Sequence, residues 1–418
     1  MLQLPEFQSL QTLSPDGRLL FATRMVRMFA YGLIAVVLGL YLIQVGLTDT
    51  QVGLVISLTL LGDAAVSLPI TIIADRFGRR RMLIIGSCLM IFAGVVFALT
   101  SDITLLTIAA IIGTISPSGN EVGPFLAVEQ AALPQTTTDK QRTQVFAWYS
   151  LIGSVMTGLG SLFGGLIAQA LQNAGQTPLN SYRAVIIGYA VIGGILAILF
   201  TRLSPAIEIQ TAQGPVTLQS LFGLKRSRSV VTKLSLLFMI DAFAGGLIVQ
   251  SLVAVWFNRR FGVDVAVIGL IYLGANFFAG LSALAAARVA ARYGLVNTMV
   301  FTHVPSNLLL ILIPLMPTLP LAILVLLARF SISQMDVPTR QSYTVAVVDP
   351  EERSAANGVT SLARTTAAAL SPGVTGAMFS AGGLWLSAPF LLAGGLKLVY
   401  DYLLYRSFNT IKPPEEQG

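Results

Sequence analysis

Along this chain apolar residues gather in runs of about twenty, each bounded by glycine, proline or charge, and twelve such runs follow one another. They begin near Leu20, Gln51, Met82, Ile103, Thr143, Ala184, Lys233, Val265, Asn297, Leu319, Ser354 and Leu384. At ~1.5 Å per residue a run of this length crosses the ~30 Å hydrocarbon core of a bilayer as a helix. The pattern predicts an all-α polytopic membrane protein with twelve transmembrane helices and short connections. The longest polar connection, Ser204 to Thr232, carries Gln-Gly-Pro and a basic patch. It divides the chain into an N-terminal six-helix bundle over 1–203, a cytoplasmic linker over 204–232 and a C-terminal six-helix bundle over 233–418.

Composition agrees with burial in lipid: 55% of residues are hydrophobic and 11% charged, with a mean hydropathy of +0.77. The net charge of +7 is therefore read loop by loop and not as a nucleic-acid footprint. With the N-terminus inside, nineteen Lys and Arg fall on inner segments and three, Arg183, Arg259 and Arg260, on outer loops. That asymmetry places both termini in the cytoplasm. The first residues are mixed polar, without a cleavable signal peptide. The absence of Asn-x-Ser/Thr sequons and the short loops favour a bacterial plasma membrane. The single Cys88 excludes a disulfide framework. No phosphate-binding glycine loop, Cys/His metal cluster or hydrolase elbow is present, so neither an enzyme nor an ATP-driven pump is expected, and no cofactor or metal site.

The two halves repeat each other. Arg27–Ile34 aligns with Asp241–Ile248, Arg76-Phe77-Gly78 with Arg292-Tyr293-Gly294, Asn120-Glu121-Val122 with Met335-Asp336-Val337, and Arg142-Thr143 with Arg353-Ser354, always 211 to 216 residues apart. Charges inside the runs are costly in a bilayer and mark candidate sites. Arg27, Glu121, Asp241 and Asp336 form a layer toward the inner side, because continuous helices put Glu121 ~27 Å and Asp336 ~25 Å from the outer ends of their runs. This layer reads either as titrating carboxylates or as an inner latch with Arg27 and Arg340 as its cations. Asp336 and Arg340, one turn apart, can also neutralise each other. Nearer the midplane lie Asp63, Arg329 and Arg364. Arg329, Asp336 and Arg340 share one face of a continuous helix.

Asp75-Arg76-Phe77-Gly78-Arg79-Arg80-Arg81, between the second and third runs, resembles the loop signature of the major facilitator superfamily of secondary transporters, with Thr71 in place of the usual Gly. The resemblance implies two parallel six-helix repeats working by alternating access. It also implies a central cavity lined by helices one, four, seven and ten, and a conformational latch at Asp75, Gly78 and Arg79. Helices two and eleven meet in that fold, which makes Asp63 and Arg364 either an interdomain pair or charges satisfied within their own halves. Gly160-Ser161-Leu162-Phe163-Gly164-Gly165 is similar to the glycine motif of proton-coupled efflux antiporters, with Ser161 for the Pro, and the repeat offset puts Pro372 at the matching position. Close helix packing explains the same glycines.

Other residues take ordinary roles at this stage. His303, on the ninth helix, is expected to be satisfied or interfacial at the bundle exterior, in preference to a proton relay. Glu129 with Arg142, and Glu352 with Arg353, are expected as cytoplasmic network charges. Trp148, Tyr149 and Trp256 could stack on an organic cation or form interfacial belts. The sequence reads as a monomeric exporter in the lipid bilayer, exchanging protons for a small charged or amphipathic organic solute. Alternatives are an organic or inorganic anion uniporter or symporter using Arg329 and Arg364, a divalent-metal exporter, and a non-transporting receptor or scaffold. No nucleic-acid partner is expected.

Overall fold

The computed structural model describes residues 13–133, 142–208, 224 and 226–409. Among these the chain forms fifteen α-helices and no strand. Nine crossings are single helices: α1 (Pro15–Gln44), α2 (Asp49–Phe77), α3 (Arg79–Leu99), α6 (Arg142–Asn173), α7 (Pro178–Phe200), α10 (Val265–Tyr293), α11 (Leu295–Leu312), α14 (Arg353–Ala381) and α15 (Ala388–Phe408). Three are pairs of helices. Span four is α4 (Ile103–Ile112) and α5 (Phe125–Ala132), span seven is α8 (Arg228–Gly246) and α9 (Gln250–Phe261), and span ten is α12 (Leu319–Phe330) and α13 (Asp336–Ala346). The twelve crossings expected from hydropathy are present, but spans four, seven and ten are not continuous helices.

The chain divides into two compact units. Unit 1 holds Met1–Leu47, Leu58–Gly214 and Gly262–Leu273; unit 2 holds Thr48–Ser57, Pro215–Phe261 and Gly274–Gly418. In unit 1, α1 packs on α6 and α7, and α3 on α4, α5 and α7. In unit 2, α8 packs on α14 and α15, and α11 on α12, α13 and α15. Six crossings apart, each contact recurs, so the sequence repeat is a repeat of packing.

Small residues set the closeness of these contacts. A Cβ added to Gly160 of α6 would lie 1.9 Å from the Phe29 carbonyl oxygen, and one on Gly32 of α1 would lie 2.0 Å from that of Thr157. The N-terminal ends of α2 and α10 show the same device in duplicate. A Cβ on Gly53 would lie 2.4 Å from the Pro372 carbonyl oxygen in unit 2, and one on Gly269 would lie 2.5 Å from that of Ser161 in unit 1. Ser161 and Pro372, paired by the repeat in sequence, therefore do the same mechanical job.

The breaks follow from local sequence. Between α4 and α5 lie Pro117, Gly119, Gly123 and Pro124, and Gly119 and Gly123 take positive φ of 69° and 78°. Between α12 and α13 the cause is Pro338, which removes a backbone donor at the start of the second helix. α8 ends on Gly245-Gly246, just before the break at 247–249, and a Cβ on Gly246 would lie 2.2 Å from the Ala368 carbonyl oxygen.

Backbone groups freed inside a bilayer need internal partners. At the span-four break they have them. Tyr31 Oη donates to the Val122 carbonyl at 2.9 Å, Tyr189 to that of Thr114, Thr157 to that of Gly119 at 3.2 Å and Ser116 to that of Asn120 at 2.6 Å. The Gly123 N–H donates to Asp63 at 2.5 Å. At the other breaks, Thr375 donates to the Leu247 carbonyl at 2.8 Å and Gln334 N–H to Ser282 at 3.2 Å.

Candidate functional site

Among the described residues, each unit holds a buried charge network built around the breaks. In unit 1, α1 supplies Arg24 and Arg27 one turn apart, and span four supplies Glu121 from its irregular segment and Glu129 from α5. Arg27 donates through Nε to Glu121 at 2.7 Å and through both Nη atoms to Glu129 at 2.6 Å each. Arg24 donates to Glu121 at 2.6 Å and to the Tyr149 carbonyl at 2.7 Å. The Tyr149 hydroxyl closes the ring onto Glu129, and its aromatic face lies 4.1 Å from the Arg24 guanidinium. Two arginines balance two glutamates, so the network is neutral. Arg27 and Glu129 are wholly inaccessible to solvent, while the Glu121 side chain keeps 10% exposure.

Unit 2 is arranged around Asp241 of α8. One of its oxygens accepts from Lys397 of α15 at 2.5 Å, the other from Arg340 of α13 at 3.0 Å. Arg340 also reaches Asp336 at 2.9 Å. His303 of α11 faces the same Asp241 oxygen through Nε2 at 3.8 Å, and through Nδ1 it meets Asp401 of α15 at 2.7 Å. Asn307 donates to the other Asp401 oxygen at 2.8 Å. Repeat-equivalent positions thus carry different electrostatics. Arg27 and Glu121 pair directly in unit 1, whereas Asp241 and Asp336 are both acidic and are joined by Arg340.

Of the residues singled out by sequence, the structure brings Arg27 together with Glu121, and Asp241 with Asp336 and Arg340. Asp63 accepts from Gly123 and, at 3.1 Å, from Ser67, which braces the span-four break. Arg329 lies in the last turn of α12, is 8% exposed, and its Nε has no acceptor among the described residues. Neither Arg329 nor Arg364 lies within ion-pair distance of a carboxylate among them. The broken spans overturn the depths counted along continuous helices for Glu121 and Asp336. They also put Arg329 on a different helix from Asp336 and Arg340. In the turn before α3, Gly78 has φ 101°, and Glu208 accepts from the backbone N–H of Arg79 at 2.7 Å and Arg80 at 3.2 Å. The Arg79 guanidinium donates to the Ile207 carbonyl at 3.1 Å. The side chains of Asp75 and Arg142 lie outside the described residues.

Several expectations need correction. Glu129 is not a cytoplasmic rim charge but the fully buried partner of Arg27. His303 is not at the bundle exterior but 4% exposed between α8 and α15. Glu352 keeps its expected network role at the start of α14; it is 8% exposed and caps the start of α8, accepting from the N–H groups of Arg226 at 2.9 Å and Ser227 at 2.8 Å. Trp256 is neither belt nor stacking platform; it is enclosed by Phe257, Phe261 and Phe390. Lys397 and Asp401 went unassigned, although an i, i+4 pair of opposite charges inside an apolar run is a legible signal. The spacing of three between Arg24 and Arg27 is the sequence signal that places both on one face of α1.

The chain matches the family model described as Major Facilitator Superfamily over residues 20–258 and 234–417. It is 30% identical over 427 residues to an uncharacterized membrane protein of Saccharomyces cerevisiae, covering 95% of each chain. Among solved structures it is similar to the nucleoside transporter NupG, with TM-score 0.72 and 15% identity, covering 94% of this chain and 99% of that one. It is also similar to a D-xylose–proton symporter, with TM-score 0.70 and 14% identity, covering 93% of this chain and 97% of the other. Fold, internal repeat, loop signature and family model agree, and the chain belongs to the Major Facilitator Superfamily of membrane transport proteins.

Proposed function

We propose that this protein is a proton-coupled secondary transporter for a small organic anion, with Arg329 as the principal ligand and Arg364 as its companion. The observation that carries the reading is the unbalanced charge of Arg329. A guanidinium within a membrane span costs about 2.5–3.5 kcal/mol on insertion scales. The C-terminal dipole of α12 offsets only about 0.3–1 kcal/mol of that. Arg340, whose Nε also lacks an acceptor, is paired through Nη1 with Asp241 and Asp336, whereas Arg329 offers a buried Nε–H and has no carboxylate at ion-pair distance among the described residues. A carboxylate, sulfate or phosphate monoester would supply one in the planar geometry that arginine favours.

Glu121, Asp241 and Asp336, each held by a cation in this arrangement, fit the latch reading: they must exchange partners when the transporter changes state. Alternating access then moves the bundles 1–203 and 233–418, joined by the 204–232 linker, with Asp75, Gly78 and Arg79 as the inner catch. We place the monomer in the plasma membrane with both termini cytoplasmic.

The test is thermal stabilisation of the purified full-length protein in detergent. The panel comprises mono- and dicarboxylates, organic sulfates and phosphate monoesters, with organic cations and divalent metals as comparators, and proton exchange is followed in weak buffer. A ligand at a hundred times its Kd stabilises by about 2.7 kcal/mol. The expected result is stabilisation by one anion class that is lost in Arg329→Gln and partly kept in Arg329→Lys. Stabilisation by organic cations, unchanged in Arg329→Gln, would overturn the anion reading.

A further inference from the structure

Where α10 turns into α11 at Gly294, the two helices enclose a groove of about 410 Å3, lined by Val289, Tyr293, Asn297, Thr298, Phe301 and Thr302. We propose that this groove binds one anionic phospholipid, with an acyl chain along its floor and the phosphate held by Arg292. The site is separate from the one proposed for substrate. It lies on the exposed side of α11, away from the buried His303 and Asn307.

The floor is apolar although three of its residues are Asn or Thr. The Asn297 amide donates to the Tyr293 carbonyl at 2.9 Å, Thr298 to that of Gly294 at 2.7 Å and Thr302 to that of Thr298 at 2.8 Å. These donors are spent on their own helix backbone, so the surface left to the groove is almost wholly apolar. Its volume falls within the about 300–1,000 Å3 of small-ligand sites. Lipid tails are as apolar as leucine, so a groove open to the bilayer gains no selectivity from its floor. Selectivity must come from its polar end.

The exposed face of α11 runs from Leu312 and Leu308 through Phe301 to Asn297. Aliphatic, aromatic and polar side chains thus succeed one another in the order met from the hydrocarbon core to the headgroups. Tyr293 on α10 and Tyr402 and Tyr405 on α15 continue the exposed aromatic band, and Phe301 meets Tyr405 edge-on at 5.6 Å. At its end stand Arg292 in the last turn of α10 and Arg406 in the last turn of α15, both exposed. The Arg292 guanidinium lies 5.4 Å from the centre of the Tyr293 ring, at the mouth of the groove. Neither Arg292 nor Arg406 has a carboxylate at ion-pair distance among the described residues. Asp241, Asp336 and Asp401 are buried and engaged in the inner network. A phosphodiester supplies the missing counter-charge, and it accepts from a guanidinium fork in the geometry arginine favours. With the termini placed inside, this is the cytoplasmic leaflet, where anionic lipids are concentrated. A belt of aromatic and basic side chains alone would gather lipid without one-to-one binding; the groove beside Arg292 makes the contact stoichiometric.

The test is mass spectrometry of the intact full-length protein, delipidated in detergent and titrated with dioleoyl phosphatidylglycerol or with phosphatidylcholine of the same chains. The expected result is one phosphatidylglycerol held about fivefold more tightly than phosphatidylcholine, the factor that one basic side chain contributes at an anionic headgroup. Arg292→Gln weakens phosphatidylglycerol by about the same factor and leaves phosphatidylcholine unchanged, while Arg292→Lys keeps most of the preference. Val289→Trp fills the groove and weakens both lipids. Arg226→Gln removes a basic side chain that is 83% exposed elsewhere in unit 2, and leaves both affinities as in wild type. Equal affinity for the two lipids, or phosphatidylglycerol binding unchanged in Arg292→Gln, would overturn the proposal. So would a dimer that forms without lipid and disappears in Val289→Trp, since the occupant would then be a second copy of the chain. Arg292 is exposed at a helix end, so its variants decide the matter even if Val289→Trp fails to fold. No transport substrate is needed, and failure here would leave the Arg329 reading standing.

Discussion

Replacing Glu129 by Gln is the most informative disturbance of unit 1. Glu129 receives both Nη groups of Arg27 at 2.6 Å and the Tyr149 hydroxyl, with no solvent access at either Arg27 or Glu129. The amide keeps the shape but can accept through one oxygen only, and its NH2 group opposes an Arg27 donor. The network also changes from neutral to a net charge of +1. Removing one partner of a buried pair costs about 3–5 kcal/mol, because the remaining charge stays desolvated. The residual contact of Arg27 with Glu121 places the expected loss near the lower end, at about 3 kcal/mol. Unfolding of detergent-purified protein by sodium dodecyl sulfate, followed by circular dichroism, measures it. Arg27→Gln and the double variant complete a cycle whose expected coupling exceeds about 1 kcal/mol. The control is Arg226→Gln, where the pair with Asp349 spans 3.4 Å and the arginine side chain is 83% exposed; there the change is within about 1 kcal/mol. Equal unfolding curves for wild type and Glu129→Gln, or a coupling near zero, would refute the view that buried counter-charge holds unit 1 together.

Gly160→Leu should abolish monodisperse protein on size exclusion, since a Cβ already meets the Phe29 carbonyl oxygen at 1.9 Å, whereas Gly188→Ala, with nothing within 4 Å, should purify like wild type. Glu208→Gln should lower stability by about 1 kcal/mol by weakening an anionic cap on the first turn of α3. A thermal ramp at low and high salt checks this, because the loss should shrink with screening.

The twelve crossings and their repeat were legible because a membrane imposes length and hydropathy on the chain directly. The repeat even paired Ser161 with Pro372 correctly. What sequence patterns missed was the breaks, and with them the depth of every charge counted along spans four and ten. Pro117, Gly119, Gly123 and Pro124 did signal one break. The decisive information lay elsewhere, in Asp63, Tyr31, Thr157 and Tyr189, which supply the partners that let unwound backbone persist in lipid. The ion pairs were half visible. Arg27, Glu121, Asp241, Asp336 and Arg340 stood out as charges in apolar runs, but their partners Glu129, His303 and Lys397 depend on which helices touch, and that is a tertiary fact.

The crossed membership of α2 and α10 bears on how the protein is made. Thr50 meets Ser380 at 2.9 Å, 330 residues later in the chain, and Asp49 awaits Arg259, which grips it through two bonds of 2.6 and 2.5 Å. Unit 1 in turn takes Gly262–Leu273 from beyond span seven. During synthesis from the N-terminus, the first six crossings enter the bilayer with the glycine face of α2 still bare, and they acquire their last segment only after the second half has begun to insert. Neither unit can be finished before the other is started, so biogenesis of this transporter is a single coupled event and not two successive ones.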